Sequence, residues 1–235
     1  RPAIRRFATL CLPMLLLSSG PAAAGAVAIN LYPYLADVNT DSDVTLTAFV
    51  PLPARLSYFS FINFGGLLHD GKTRFQITEQ NLIWNALPGR PFDLVLQDTI
   101  RYGHDNDTIH AGLRWRVSDT GRLRPLLDSI GLDYSFQVFP VRLDQRELGG
   151  WQLSHVYLLR FPWLSERLYF SGFFDHNIDE RAVDPSRQRD NIVSENQLGY
   201  RLYKNLYAVV EFRLNEYRRA DTTNFGAGFE LKAAW

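Results

Sequence analysis

Thr222-Thr223-Asn224-Phe225-Gly226-Ala227-Gly228-Phe229-Glu230-Leu231-Lys232-Ala233-Ala234-Trp235 decides how the rest of the chain is read. Phe225, Ala227, Phe229, Leu231, Ala233 and Trp235 share one parity, while Gly226, Gly228, Glu230, Lys232 and Ala234 share the other. A period of two puts successive side chains on opposite faces of a β-strand, whereas a helix would mix the two sets. The last residues of a soluble sheet tend to fray into water. An apolar face that runs to a terminal aromatic suits instead the closing strand of a transmembrane β-barrel, where lipid takes the apolar side and the lumen the polar side.

The other end of the chain points the same way. Arg1, Arg5 and Arg6 form a basic region, an apolar run follows from Phe7 to Leu17, and Ala22-Ala23-Ala24-Gly25-Ala26 offers small residues for cleavage. The sequence therefore predicts a secretory signal peptide over 1–26 and one barrel domain over 27–235. The apolar run falls short of the roughly 20 residues of a membrane-spanning helix. Cys11 lies inside that run after Leu10, not after the small residue of a lipoprotein site, so the mature chain is expected to carry no cysteine and to rely on barrel closure. The sequence opens on Arg1, and an initiator methionine is expected upstream.

Composition narrows the choices. Charged residues make up 21%, aromatics 14%, and mean hydropathy is −0.17, which fits neither a helical membrane protein nor a disordered chain. Without Arg1, Arg5 and Arg6 the chain holds 22 basic and 25 acidic residues, so no basic excess suggests nucleic acid as a partner. Lysine occurs only at 72, 204 and 232. The arginines that supply the rest keep their charge in any surroundings and fork onto carboxylates, which suits a narrow polar lumen.

From residue 26 onward the chain reads as strands and turns. Expected strands are 26–36, 44–50, 56–64, 73–84, 92–102, 108–117, 130–142, 151–161, 167–177, 192–203, 206–215 and 224–235. The fold expected is all-β, a closed antiparallel transmembrane β-barrel of about 12 strands, with 10 as the smaller possibility. In the first strand Pro33 removes a ladder donor. Connections alternate between tight turns and longer, charged loops, and the one long member of the short set, 118–129, reads as a short helix around Pro125. Short periplasmic turns and longer outside loops are the habit of outer-membrane barrels, so both termini are expected in the periplasm.

Several strands sort cleanly by face. Ile109, Ala111, Leu113, Trp115 and Val117 oppose Thr108, His110, Gly112, Arg114 and Arg116; Leu206, Ala208, Val210, Phe212 and Leu214 oppose Tyr207, Glu211, Arg213 and Asn215. Asp98 and His155 break the pattern by falling on apolar parity, which predicts a bulge, an interfacial position or a different register. Expected inward ions are Arg74, Arg101, Arg114, Arg116, Arg160, Arg167, Arg201, Arg213 and Lys232, with Asp93, Asp133, Asp175, Glu195, Glu211 and Glu230. Tyr169, Phe173 and Tyr207 are the large rings expected among them. Rings and guanidinium planes stack on flat heterocycles, and carboxylates accept from sugar hydroxyls. The candidate binding residues are therefore Arg114, Arg116, Tyr169, Phe173, Asp175, Arg201, Tyr207, Glu211 and Arg213. Neither a metal nor a cofactor is expected, since His104, His110, Asp105 and Asp107 match no familiar ligand spacing. Ser154 and His155 are adjacent strand residues that point to opposite faces and cannot pair.

The segments Gly150-Trp151 through Trp163-Leu164 and Arg167-Leu168-Tyr169-Phe170-Ser171-Gly172-Phe173-Phe174-Asp175 resemble a hairpin of the nucleoside-specific outer-membrane channel family, and Asn196 through Leu202, Tyr207 through Arg213 and Phe225 through Phe229 resemble that family's last strands. That resemblance implies a narrow lumen lined by aromatic and ionisable residues that takes nucleosides. The expected function is passive diffusion of small polar solutes, nucleosides among them, across the outer membrane of a Gram-negative bacterium. The alternatives are a closed structural or binding barrel and an outer-membrane lipid hydrolase. Expected partners are membrane lipid and lipopolysaccharide, a small polar solute, and the barrel-assembly machinery, whose insertion signal the strand ending at Trp235 resembles.

Overall fold

The computed structural model describes residues 25–234, apart from 38, 40, 103–106, 145–149, 179–189 and 218–220. The expected signal-peptide run, His104, Asp105 and Trp235 lie outside the described residues. Twelve strands follow one another: β1 Ala26–Leu35, β2 Val44–Leu52, β3 Leu56–Gly65, β4 Phe75–Trp84, β5 Phe92–Tyr102, β6 Thr108–Arg116, β7 Leu132–Asp144, β8 Trp151–Phe161, β9 Ser165–Ile178, β10 Asn191–Tyr203, β11 Leu206–Asn215 and β12 Thr223–Ala234. Each pairs antiparallel with its neighbours in sequence, and β1 pairs with β12, so the sheet closes and leaves no edge. The expected strands agree with these to within about two residues at most ends.

Among the described residues two α-helices and a single 3-10 turn, Val117–Asp119, sit between strands. Helix α1, Leu67–Asp70, follows β3 at the long-loop end; Asp43 accepts from the N–H groups of Leu67 and Leu68 at 3.1 and 2.6 Å and satisfies its first turn. Helix α2, Arg124–Ser129, is the expected helix in the 118–129 connection, and it carries Pro125 in its first turn, where a missing N–H is harmless.

Faces follow from pairing, because residues opposite one another in an antiparallel ladder point the same way. Leu94, Leu96, Ile109, Leu113, Val210, Phe212, Phe229 and Leu231 all point outward and are exposed. Among the described residues no helix is long and apolar enough to cross a membrane; the apolar band lies on the outer face of the closed strands, the side that lipid takes in a transmembrane barrel. Aromatic residues stand at both rims: Trp84, Phe92, Trp163 and Tyr203 at the short-turn end, Tyr102 and Trp151 at the long-loop end.

Candidate functional site

Two proline bulges shape the bore. On β1, Tyr32 and Pro33 together oppose the single residue Gly228 of β12; on β7, Phe139 and Pro140 together oppose Gly112 of β6. The prolines lack a ladder donor and sit where the ladder is already broken. Each glycine is needed for close approach, since a Cβ on Gly228 would lie 1.8 Å from the Leu31 carbonyl oxygen and one on Gly112 would lie 2.1 Å from that of Val138. Each bulge drives a ring into the interior, with Tyr32 1% and Phe139 0% exposed. The two bulged strands stand six apart in a ring of twelve, on opposite walls.

The Tyr32 wall is filled by polar groups. At the long-loop end Arg213 donates to Asp41 Oδ1 (2.7 Å), to the Ser42 carbonyl (2.6 Å) and to Glu211 Oε1 (2.6 Å), which draws loop residues Asp41 and Ser42 into the mouth. Its guanidinium lies 4.8 Å from the Tyr32 ring centroid. The Tyr32 hydroxyl engages Glu211 and, at 2.7 Å, Gln197; Gln197 Nε2 donates to the Tyr169 hydroxyl at 2.5 Å, and that hydroxyl donates to Glu230. Lys232 completes the ladder, 2.9 Å from Glu230 and over the rings of Tyr169 (4.0 Å) and Tyr207 (4.6 Å). Buried charges persist only when paired and bonded, and here a cation stands at each end, Arg213 on Asp41 and Glu211 and Lys232 on Glu230, with neutral groups between.

The Phe139 wall is built differently around its ring. Phe139 packs with Ile83 and Val95 in one buried cluster, with Phe59 against it. Beside it lies a cavity of about 120 Å³ lined by Phe49, Phe59, Phe61 and Phe173, by Glu79, Asn81, Gln97, Ser154 and Asp175, and by a short-turn-end group of Arg114, Arg116, Asp119 and Asp133. Asp93, behind that group, receives Arg114 at 2.8 and 2.5 Å, Asn85 at 2.9 Å and Arg116; Arg116 also reaches Asp119 at 2.6 Å.

The nine candidate binding residues thus divide between the walls. Tyr169, Tyr207, Glu211 and Arg213 belong to the ladder, with Arg201 opposite Tyr207 across the strand pair; Arg114, Arg116, Phe173 and Asp175 line the cavity. Two expectations are corrected. Arg74 lies before β4 at the long-loop end, exposed and bonded to Asp70 and Asn39 rather than inward; its bond to Asp70 also holds that carboxyl below the usual range. Tyr169, Phe173 and Tyr207 are not the only inward rings, because Tyr32, Phe49, Phe59, Phe61 and Phe139 join them. Those on β2 and β3 carried no signal of face, since apolar residues occupy both parities there.

The two misplaced polar residues also find their explanation. His155 keeps regular register between Phe136 and Phe174 and faces outward; its Nδ1 is 2.7 Å from the Tyr134 hydroxyl, and its ring contacts both phenylalanines. Ser154 faces the bore and donates to Asp175. The histidine's bond goes to a tyrosine, and the serine–histidine pair that a lipid hydrolase would use is not made by these residues. Asp98 is likewise in register, outward, beside Gln80, whose Oε1 accepts from the Tyr58 hydroxyl at 2.9 Å.

No protein-family model and no curated protein matches the chain. Among solved structures it is similar to the KdgM porin, with a TM-score of 0.48 and 11% identity over 89% of this chain and 98% of that one, and equally to the KdgM porin in complex with disordered oligogalacturonate. A membrane protein from a study of in-meso crystallization gives a TM-score of 0.45 and 11% identity, covering 91% of this chain and 84% of that one.

Proposed function

We propose that the protein is a passive channel of a Gram-negative outer membrane, and that it admits small polar solutes through the half of the bore that the ladder leaves unfilled. The observation that carries this reading is the cavity against the Phe139 wall, enclosed by twelve closed strands whose outer face is apolar. At roughly 10–15 Å³ per enclosed water, about 120 Å³ holds several waters, whereas pockets for drug-sized ligands begin near 300 Å³. Nucleosides are the finer reading, supported by the sequence resemblance, by the ring faces of Phe49, Phe59, Phe61 and Phe173, and by acceptors for ribose hydroxyls on Glu79, Asn81, Gln97 and Asp175.

Refolded protein in a planar bilayer tests both levels. Discrete conductance steps in potassium chloride support the channel, and their block by millimolar adenosine or uridine supports the nucleoside reading. Folded protein that conducts no ion would return the chain to a closed barrel.

A further inference from the structure

The guanidinium groups that line the cavity are already committed. Arg114 is forked onto Asp93, and Arg116 is held by Asp93 and Asp119, all at the short-turn end. Farther in, Glu79 on β4 and Asp175 on β9 line the same cavity from walls five strands apart, and neither makes a salt bridge among the described residues. Their bonds are to neutral donors: Asn81 Nδ2 reaches Glu79 at 2.8 Å, and Ser154 Oγ donates to Asp175.

An independent observation marks the same cavity as a site. Ser135 on β7 is 1% exposed, faces the bore opposite Arg116 and Val156, lines the cavity, and its hydroxyl oxygen has no hydrogen-bond partner. A buried hydroxyl is rarely left without a partner, and it can accept from an N–H. The rings of Phe59, Phe61 and Phe173 line the same cavity and offer faces that attract cations.

We propose that this part of the bore binds small organic cations, solutes with one ammonium group on a compact apolar body, with Glu79 and Asp175 taking the charge, Ser135 accepting an N–H and the phenylalanine rings holding the body. The inference rests on the channel reading only for the route by which the cation enters. Two carboxylates with no salt bridge among the described residues, Arg101 on the next strand acting through space on Glu79 but not on Asp175, favour positive over negative charge in a low-dielectric bore, so cations are preferred there to anions.

Benzylammonium is the probe and benzoate its anionic counterpart, titrated calorimetrically into the full chain refolded in detergent. Saturable binding of benzylammonium alone is expected. Glu79→Gln and Asp175→Asn should each weaken it about tenfold and the double variant about a hundredfold, the scale of one and two lost bonds to a charged group. Heat-modifiable gel mobility confirms folding, and if the double variant fails to fold, the isosteric single variants decide. Equal binding of benzoate, or benzylammonium affinity unmoved by all three variants, overturns the site. In planar bilayers under a potassium chloride gradient, the reversal potential should show cation preference that falls in the double variant. Benzylammonium binding without conductance upholds the site and overturns the channel; conductance without benzylammonium binding does the reverse.

Discussion

The two bulges use one local device and reach opposite results. Each places an aromatic residue and a proline against a single glycine, Tyr32-Pro33 against Gly228 and Phe139-Pro140 against Gly112, and each buries its ring completely. They differ by one oxygen. The hydroxyl of Tyr32 is bonded to Glu211 and Gln197 and stands at the centre of a ladder that fills its wall. Phe139 has no hydroxyl to offer and collects Ile83, Val95 and Phe59, beside which the cavity stays open. The backbone decides that a ring enters the bore at these two heights, and the ring's chemistry decides whether polar groups or a cavity gather there.

The sharpest way to break this contrast is to remove the cation at the head of the ladder. Arg213→Met would leave Glu211 and Asp41 buried without their guanidinium, which should lower stability by about 3–5 kcal/mol. Guanidinium unfolding followed by tryptophan fluorescence measures it, and a loss under 1 kcal/mol would mean that the ladder does not brace its wall. Next come the glycines. Gly228→Ala and Gly112→Ala should each be unfavourable by about 3 kcal/mol, the upper part of the range for overpacking, because the obstacle is a backbone carbonyl. Similar losses in the two, seen as lower melting of the heat-modifiable band, would confirm one device used twice; a tolerated Gly112→Ala would break the parallel. Tyr32→Phe takes away only the oxygen and should be unfavourable by about 1–2 kcal/mol, while conductance rises as Gln197 and Glu211 are freed to move. Smallest is Asp70→Asn. This exposed pair with Arg74 lies away from both bulges, and the change should leave the unfolding midpoint unmoved within error in the same assay.

Most of the barrel was legible because polarity marks the face wherever the interior is polar. In β6, β11 and β12, Arg114, Glu211 and Glu230 oppose runs of leucine, valine and phenylalanine, and the parity read from them is the parity observed. Legibility failed where the interior is itself apolar. Phe49 on β2, and Phe59 and Phe61 on β3, point into the cavity, yet Leu46, Ala48 and Ile62 on the outer face are apolar too, so only pairing with Glu79 and Asn81 on β4 assigns their side. The bulges hid Tyr32 and Phe139 for another reason. An extra residue resets the parity of everything after it, and the only local sign is a proline that a strand would otherwise avoid. For the candidate site, the residue types were readable and their grouping was not, since Tyr169 and Phe173, four apart on β9, serve different walls.

The β1–β12 seam sets a condition on time. Tyr32 reaches Glu211 across 179 positions of chain, so this contact waits until nearly all of the strands have been made and brought together. Pairings so distant in sequence form slowly, because the chain between them must be ordered before they reward it. Until then β1 exposes an unpaired edge with Tyr32 and Asn30 lacking their partners from β10 and β11, a surface ready to stick to any other strand. A slow final step in refolding should therefore carry the signature of Tyr32, and the Tyr32→Phe protein should close at a changed rate even where its finished barrel looks the same.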